Sequence, residues 1–525
     1  MSAGIIQLVA MGPEDTYLMN DPQITFFKMV YRRHTNFSIE EIPQNFLTKP
    51  DFGKKVSCII SRSGDLIRKI WLVIELPHIP QFLNDNQEID KIAKFAWVRK
   101  IGFALIKTIE IEIGGELIDR QYGDWLNIWY ELTVPYNQQI DKLLGNVKEL
   151  VNFTNGKESY KLFIPLQFWF NREAGLALPV VALAYNNIKI NLEINEFEKC
   201  YVVAPTNYIT IENNFVNFKP NDYLIQNVDG VISLAKFIYF DIFTERLYYS
   251  KITDNGFISI NKTNSNPNPN LDSLFFEHDS RGNLINKKYL IKGLSSNYEV
   301  MPKINSIERI YQNRSINLKN TSLKSCFLLV EYFFLDEDER KRFSLARHEY
   351  LIEQVLYDGE KNIEGSKQNF NLGFTLTCKE IIWITQLKLA QNPRNNDWFN
   401  YTNSMIYDEE GNLIGGNIIE EETILFNNHE RLSFRDSEYF TLTQPYCHHK
   451  NSPDGFINVY SFSLYPETHQ PSGQINLSMI DSITLKIQVQ PIINFKNPAK
   501  LRVYALVQNI LRISNGISGV VFKLG

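Results

Sequence analysis

Short apolar runs with alternating hydrophobic positions dominate the chain. Residues 105–113 (LIKTIEIEI) alternate apolar and polar side chains with a period of two, which predicts a strand with one buried face. Gly114 and Gly115 follow this run and predict a hairpin turn. Comparable runs predict further strands at 23–31, 68–76, 160–170, 180–194, 326–335, 381–389, 456–465, 482–490 and 500–513. Because few helical spacers separate these runs, a sandwich or jelly roll is favoured over a parallel α/β sheet.

Helical patterns are few. Short amphipathic helices are predicted at 124–132 and 138–151. The clearest helical pattern covers 336–354, where acidic residues occupy the first turn and basic residues follow, as the helix dipole favours. Because this segment lies between two strand-rich halves, we interpret it as a connector between domains.

The two halves of the chain resemble each other. Three pairs of similar apolar strands recur in the same order with nearly the same separation, which predicts two related β-domains. The pairs are 68–77 with 379–388, 163–171 with 457–466, and 185–194 with 480–489.

A long stretch between the halves, 205–322, differs in composition from its surroundings. It is rich in Asn and Ser, and its segment 262–270 (KTNSNPNPN) is typical of a loop. One strand-like island occurs at 235–247. We expect the stretch to be a partly ordered insertion from the first domain, since long surface insertions cost little closure entropy.

Composition and charge exclude several classes of protein. The 525 residues carry 54 Lys+Arg and 59 Asp+Glu, and this net charge of −5 gives no electrostatic drive toward nucleic acid. Aromatic residues reach 13%, which also favours strands. No apolar run approaches the roughly 18–20 residues of a membrane-spanning helix, and the N-terminus lacks the basic region of a signal peptide. The sequence therefore predicts a soluble protein made inside the cell.

The five cysteines are scattered along the chain. An odd, widely spaced set predicts free buried thiols in a reducing compartment and not a disulfide framework. The cysteines are Cys58, Cys200, Cys326, Cys378 and Cys447.

Motifs with recognisable chemistry are scarce. The best candidate for a metal site is Cys447-His448-His449 with His469 downstream, but adjacent side chains on an extended segment point to opposite faces. We therefore interpret this segment as a loop that makes polar contacts.

One pair of acidic residues is a candidate for acid–base catalysis. Asp119 and Asp124 flank Arg120 and Tyr122, yet their spacing does not mark a catalytic acid pair. Taken together, the sequence predicts no catalytic, cofactor or metal site and a protein that is not an enzyme.

Long strings of the sequence resemble one family. The opening, residues 2–40, with PQITFFK at 22–28 and YRRHTNF at 31–37, closely resembles the start of the major capsid proteins of nucleocytoplasmic large DNA viruses. Stretch 205–322 has no counterpart in this resemblance. Further matches in family order are RSGDLI (62–67), IEIGGELIDRQYGDWLNIW (111–129), IPLQFWFNREAGLALPVVAL (164–183), LDEDERKRF (335–343), YSFSLYPETHQPSGQINLSMID (460–481) and LRVYALVQNILRISNGISG (501–519).

The resemblance implies an all-β fold of two consecutive eight-stranded antiparallel jelly rolls, with short helices and a long loop insertion. The implied domains are an N-terminal arm over 1–30, a first jelly roll over 31–340 and a second over 341–525. The insertion at about 205–322 would then project outward as a tower.

The resemblance also implies a function in assembly. It implies homotrimeric capsomers of pseudo-hexagonal outline that tile an icosahedral shell around an internal membrane, in the virion, after assembly in the host cytoplasm. The implied partners are copies of the chain, minor capsid and penton proteins and, through the apolar segment 4–10, the membrane, without direct nucleic acid contact. Arg32, Arg33 and His34 would bind acidic groups on neighbouring proteins or form a local salt bridge.

Other functions stay open at this point. The chain could act as a transient scaffold of the same fold that shapes a viral membrane. It could also be a glycan-binding attachment protein, whose tower would then bind sugar, or a jelly-roll enzyme such as a glycosidase.

Overall fold

The structure, a computed structural model, describes most of the chain. No helix in the described ranges is long and apolar enough to cross a membrane. The residues outside the description are 1–2, 14, 16–18, 85, 136–139, 214, 261–275, 279–283, 313–317, 319, 409–410, 454 and 523–525.

The first half of the chain folds into a sandwich of two antiparallel sheets, here named 1a and 1b. Each strand pairs with its neighbours in antiparallel register, and Leu178–Pro179 adds a short strand beside Leu66–Glu75 in sheet 1a. Sheet 1a has the order Phe37–Gln44, Ser325–Leu335, Leu66–Glu75, Lys161–Pro165. Sheet 1b has the order Lys55–Ile59, Ile188–Ile194, Ile106–Ile113, Glu116–Tyr122.

The second half repeats this arrangement in sheets 2a and 2b. Short strands at Ile475–Asn476 and Ile517–Val520 extend sheet 2a, and one at Arg435–Asp436 extends sheet 2b. Sheet 2a has the order His348–Ile363, Ala499–Ser514, Thr377–Leu387, Asn458–Ser461. Sheet 2b has the order Lys367–Leu372, Ile483–Val489, Ile419–Phe426, His429–Glu430.

The two sandwiches have the same strand order, and the chain visits the strands in the same sequence. Leu66–Glu75 and Thr377–Leu387 both occupy the third place in their sheets. The other two repeat pairs likewise occupy matching places, so the predicted internal repeat is confirmed. The count of eight strands in each jelly roll stays a prediction, because short extra strands join three of the four sheets. The domain boundaries at 30 and 340 also stay predictions.

Each sandwich encloses an apolar core between its sheets. Isoleucines at alternating positions of Ile106–Ile113, such as Ile109 and Ile111, point into the first core and are fully buried. Leu485 and Ile487 do the same in the second core. The period-two pattern of the sequence therefore sets which face of each sheet is buried. Gly114 and Gly115 form the predicted hairpin turn with φ values of 62° and 85°, which glycine adopts without strain.

The described helices are short and lie between strands. The predicted helix at 124–132 is confirmed by Gly123–Thr133. The prediction at 138–151 gives two single turns, because Gly145 between them takes a left-handed φ of 74°. The described helices are Ala3–Val9, Ile101–Ala104, Gly123–Thr133, Asp141–Leu144, Lys148–Val151, Trp169–Arg172, Glu337–Leu345 and Gln444–His448, with a π turn at Tyr439–Thr443 and 3₁₀ turns at Ala174–Leu176, Val180–Ala182, Phe197–Lys199, Lys287–Tyr289 and Leu477–Met479.

The helix predicted at 336–354 is only half correct. It forms over Glu337–Leu345, where the side chain of Asp336 caps it by accepting the N–H of Glu339 at 2.9 Å. Beyond it, His348–Ile363 is a strand, because its whole length pairs with Ala499–Ser514. Pairing within a buried sheet outweighs the weak helical preference of residues 348–354.

The strand predicted at 23–31 does not form. The described residues of this segment are exposed and pair with no described strand. The run alternates only over 23–26, and the pairs Phe26-Phe27 and Met29-Val30 then break the period of two that would bury one face in a sheet. The strands predicted at 160–170, 180–194 and 456–465 are present but shorter, at Lys161–Pro165, Ile188–Ile194 and Asn458–Ser461.

The insertion is far more ordered than its composition predicts. Its described part forms a seven-stranded antiparallel sheet with a core of its own that contains Leu224, Phe237 and Tyr249. Stretch 262–270, the predicted loop, lies outside the described residues. The strand order is Glu299–Val300, Ile291–Gly293, Tyr223–Val228, Val231–Asp241, Arg246–Lys251, Asn207–Thr210, Arg309–Ile310.

Three two-stranded ribbons complete the fold. They connect loops at the ends of the sandwiches and of the insertion. The ribbons pair Lys94–Trp97 with Tyr201–Ala204, Phe276–His278 with Leu284–Asn286, and Ile406–Tyr407 with Leu413–Ile414.

Candidate assembly surface

The histidine segment weighed as a metal site does not bring its side chains together. Cys447 is exposed and His448 is half-buried, whereas His449 is buried. The ring of His449 lies between two carboxylates, with Nε2 2.9 Å from Glu380 Oε2 and Nδ1 3.2 Å from Glu467 Oε1. The two acids therefore flank opposite edges of the ring and do not converge on one point. Among the residues that the structure describes, no group of three or more His, Cys, Asp or Glu side chains could hold a metal ion.

His449 instead forms an ion pair inside the second sandwich. Burial alone lowers the pKa of its imidazole, but Glu380 and Glu467 outweigh burial and raise it to about 9. The protonated ring thus neutralises Glu380, which is fully buried. The contact fixes the loop that carries Glu467, which also accepts the N–H of Lys450 at 2.7 Å.

The two aspartates weighed as a catalytic pair lie at the junction of the sandwiches. Asp119 accepts the N–H of Val355 at 3.0 Å, so a strand of sheet 1b is tied to a strand of sheet 2a. Burial raises the pKa of Asp119 to about 6. Asp124 pairs with Arg502 of sheet 2a, and burial raises its pKa as well. Both side chains therefore join the two halves of the chain.

An apolar contact covers most of this junction. The Gly123–Thr133 helix lays Trp125 and Trp129 against the outer face of sheet 2a, where Ile382 and Tyr504 are fully buried. The ring centroids of Trp125 and Tyr504 are 5.7 Å apart. This helix was recognisable from its amphipathic pattern, since its tryptophans recur four residues apart.

A buried charge cluster completes the junction, and sequence reasoning did not find it. Glu353 in sheet 2a pairs with Arg172 from the first sandwich and with Lys379, whose Nζ lies 2.6 Å away. Lys379 also donates to the carbonyl of Thr468 at 2.8 Å. The guanidinium of Arg172 lies 4.0 Å above the ring of Trp129. Since these charges neutralise one another only in one arrangement, the two sandwiches are held in a fixed orientation.

In contrast to the buried junction, the N-terminal segment exposes many large apolar side chains. Phe26 and Phe27 are 90% and 99% exposed, and Leu8 in the first helix is 76% exposed. Monomeric proteins rarely expose so many large apolar side chains in one segment. Most described residues from Ile5 to Asn36 are exposed, a stretch that includes described residues of the predicted arm and continues past residue 30. This exposure indicates a surface that another molecule covers.

The arm continues into an exposed strand edge. Phe37–Gln44 pairs on one side with Ser325–Leu335 and with no other described strand, and most of its side chains are exposed. Arg32 and Arg33 are exposed, and neither forms an ion pair within the described ranges. The alternative of a local salt bridge is therefore not observed. The apolar side chains, the two cations and the strand edge therefore follow one another along the chain, and most of their residues are exposed.

The described cysteines are all free, as predicted. Cys58, Cys200 and Cys378 are buried, and burial raises the pKa of each thiol. Cys326 is half-buried and Cys447 is exposed, so these two differ from the prediction. The buried thiols are therefore unreactive parts of the core.

The fold and its surfaces define a class of protein. Two jelly rolls joined through a rigid buried junction, with an exposed arm and an additional sheet, are the features of a double jelly-roll shell protein. Two family models match the chain: "Major capsid protein N-terminus" over residues 25–241 and "Large eukaryotic DNA virus major capsid protein" over residues 339–519.

Known relatives agree over the whole chain. A probable capsid protein 4 of Acanthamoeba polyphaga mimivirus is 41% identical, covering 100% of this chain and 99% of its own length. The major capsid protein of Phaeocystis pouchetii virus is 31% identical over the full length of both chains. Among solved structures, the Faustovirus major capsid protein superposes with a TM-score of 0.64 and 12% identity, covering 96% of this chain and 94% of its own. The chain therefore belongs to the major capsid protein family of large eukaryotic DNA viruses, and its role is that of a structural protein of the capsid.

Proposed function

We propose that three copies of this chain form a capsomer of pseudo-hexagonal outline that tiles an icosahedral shell around an internal membrane. The observation that carries this proposal is the matching strand order of the two sandwiches. A trimer of chains with two similar lobes presents six similar lobes at its perimeter, which suits close hexagonal packing.

The buried junction supports the same proposal. A tile must keep its outline when it meets its neighbours, so its lobes cannot rotate freely. Trp125, Arg172 and Glu353 fix one sandwich against the other through apolar and ionic contacts. The chain thus supplies a rigid building block, and repeated weak contacts between such blocks stabilise a shell.

We further propose a division of the chain into three parts. Residues 1–30 form the arm, 31–340 the first jelly roll with the insertion at about 205–322, and 341–525 the second jelly roll. The exposure of Phe26 and Phe27 supports the first boundary. The Glu337–Leu345 helix supports the second, and its Arg340 pairs with Asp65 of the first sandwich, with 3.0 Å between Nε and Oδ1.

The arm is the proposed contact to partners beneath the shell. Its apolar side chains would pack against minor capsid and penton proteins or against the internal membrane, and Arg32 and Arg33 would bind acidic groups there. Direct nucleic acid binding is not part of the proposal, since the net charge is −5. The capsomers would assemble in the host cytoplasm and have no catalytic activity.

Imaging of the purified protein tests the proposal. Electron cryo-microscopy should show particles with three-fold symmetry and six similar lobes. A second sample lacking residues 1–30 should keep this shape, since the arm lies outside both cores. Particles with a single copy or two-fold symmetry would overturn the trimer.

A retained shell and a transient scaffold make different predictions. A shell protein is present in mature virions in many copies, whereas a scaffold is lost before maturation. Quantitative mass spectrometry of purified virions should therefore find this chain among the abundant proteins. Its absence from mature particles would favour the scaffold.

A further inference from the structure

A polar cleft lies where three parts of the chain meet. Its volume is about 610 Å³, and a smaller cavity that shares several lining residues continues it inward. The first sandwich contributes Arg99 and Lys148, the insertion contributes Tyr223 and Lys236, and the ribbon after Ile406–Tyr407 closes the third side. The capsid role does not account for a recess of this size.

The walls of the cleft are held in place by direct contacts. Arg99 donates from Nη1 to the carbonyl of Gly411 at 2.7 Å, and its guanidinium lies 3.7 Å from the ring centroid of Tyr407. The hydroxyl of Tyr407 donates to Asp397, with 2.7 Å to Oδ1. Asn400 donates to the same carboxylate at 3.0 Å. The cleft is therefore preformed, which lowers the entropic cost of binding.

Lys236 is the unusual residue of this cleft. Its Nζ lies 5.5 Å from the ring centroids of both Phe153 and Tyr223 and forms no hydrogen bond or ion pair with the described residues. Burial, and then the charge of Arg99, lower the pKa of the ammonium group to about 8, which still leaves it largely charged at neutral pH. The side chain is half-buried and the carboxylate of Asp397 acts on its charge, but the ammonium group has no hydrogen-bond acceptor among the described residues. It can therefore donate to an anionic group that enters the cleft.

The other charged residues of the cleft also favour an anionic ligand. Four cations line the cleft: Arg99, Lys148, Lys219 and Lys236. Three carboxylates also line it, at Asp141, Asp222 and Asp408. Each of these carboxylates accepts hydrogen bonds from its own loops, as Asp222 does from the N–H groups of Ser295 at 2.9 Å and Ser296 at 3.2 Å. Arg99 is engaged by the carbonyl of Gly411 and the ring of Tyr407, whereas Lys236 has no hydrogen-bond acceptor among the described residues.

The remaining lining residues narrow the class of ligand. Asn152 and Asn221 offer amide groups, which both donate to and accept from hydroxyl groups. The rings of Tyr223 and Tyr407 each have a cation over one face, which reduces the surface on which a nucleobase could stack. A compact ligand with several hydroxyl groups and one negative charge matches this lining.

We propose that the cleft binds an acidic saccharide, with its carboxylate or sulfate at Lys236 and its hydroxyl groups at the asparagines of the rim. This binding activity is separate from shell formation. It gives the protein a recognition site formed jointly by both jelly rolls and the insertion.

Titration of the full chain with simple sugars tests the proposal. Glucuronic acid is the probe, glucose is its neutral counterpart, and inorganic sulfate supplies a charge without a sugar. By isothermal calorimetry or saturation-transfer NMR, glucuronic acid should bind, glucose should not bind measurably, and sulfate should bind more weakly than glucuronic acid.

Two variants locate the site. Lys236→Met should weaken glucuronic acid binding by about tenfold or more, the effect of losing one charge-assisted hydrogen bond. Asn221→Asp keeps the size of the side chain and adds a negative charge at the rim, so it should also weaken binding if Lys236→Met fails to fold. Lys388→Met, at an exposed lysine outside the cleft, should change nothing.

Three results would overturn the proposal. The first is no binding of glucuronic acid to the folded protein at tens of millimolar concentration. The second is equal binding by the wild type and both cleft variants. The third is that glucose or sulfate binds as tightly as glucuronic acid. Because the mass of the particle is measured separately, none of these results bears on trimer formation.

Discussion

Trp383 donates its indole N–H to Glu422 across the core of the second jelly roll, with 2.7 Å between Nε1 and Oε2. Both side chains are fully buried. Burial raises the pKa of Glu422 from 4.5 to about 8, although the bond from Trp383 opposes this shift. A carboxyl group thus sits protonated at neutral pH among Leu485 and other apolar residues.

This carboxyl group makes stability depend on pH. Because the folded-state pKa is raised, the group stabilises the fold fully below pH 4.5, and this contribution is lost as the pH rises to about 8. The free energy of unfolding should fall across this window by on the order of 1.4 kcal/mol per pH unit at most. Glu422→Gln should reduce that slope, as denaturant unfolding between pH 5 and 9 will show, and the remaining slope above pH 6.5 belongs to His449.

A matched control for this experiment is Glu349→Gln. Glu349 is exposed and pairs with Arg512 on the surface of the same jelly roll. The control should keep the pH slope of the wild type. An equal slope in Glu422→Gln and the wild type would contradict the assignment of the effect to Glu422.

Neutralising Glu353 in the buried charge cluster of the junction should cause a large loss of stability. Glu353→Gln leaves Arg172 and Lys379 buried without a counter-charge, which should cost about 3–5 kcal/mol of unfolding free energy. Glu349→Gln, on the same strand but at an exposed ion pair, should cost less than about 1 kcal/mol. Equal effects of the two substitutions, measured by denaturant unfolding, would show that the cluster does not stabilise the junction.

His449 should stabilise the protein over a pH range that extends higher than that of Glu422. Its pKa is raised from 6.5 to about 9, so its contribution is fully present below pH 6.5 and is lost as the pH rises to 9. The melting temperature of His449→Gln should therefore lie well below that of the wild type at pH 6 and approach it at pH 9. His448→Gln, at the half-buried neighbour outside the ion pair, should show a melting-temperature difference from the wild type that is the same at both pH values. For His449→Gln, a difference that does not shrink with pH would argue against the ion pair.

The arm predicts a separation of folding from assembly. Phe26→Ser combined with Phe27→Ser should change the free energy of unfolding by no more than about 0.5 kcal/mol, because neither ring is buried in the chain. The same variant should incorporate poorly into particles, since it lacks the apolar surface that partners cover. Thermal melting and particle yield measure the two effects, and normal yield would exclude a role for these rings in assembly.

Most strands of the fold can be predicted from the period-two patterns of the sequence. The alternating positions of Ile109 and Ile111 predict their strand and its buried face. The repeated runs at 185–194 and 480–489 predict equivalent strands in the two sandwiches. Such patterns are local, so they can be read without knowing what the strand pairs with. The strings at 2–40 and 501–519, which resemble those of the capsid family, then indicate the family.

Features that depend on distant partners could not be predicted. Residues 348–354 look helical in isolation and become a strand because Ala499–Ser514 lies beside them. Arg172 and Glu353 are separated by 181 positions, and nothing local marks either as buried. The Asn and Ser content of the insertion resembles that of loops, which predicts only partial order. The strand Val231–Asp241 nevertheless forms over 11 residues, because strands on both sides pair with it.

The solution mass of the purified protein tests the central claim most directly. One chain has a mass of 61.2 kDa, and we expect light scattering or native mass spectrometry to give three times this value. The value should persist on dilution, since obligate interfaces of this kind bury on the order of 2,000 Å² or more. A mass of one or two chains under the same conditions would contradict the account.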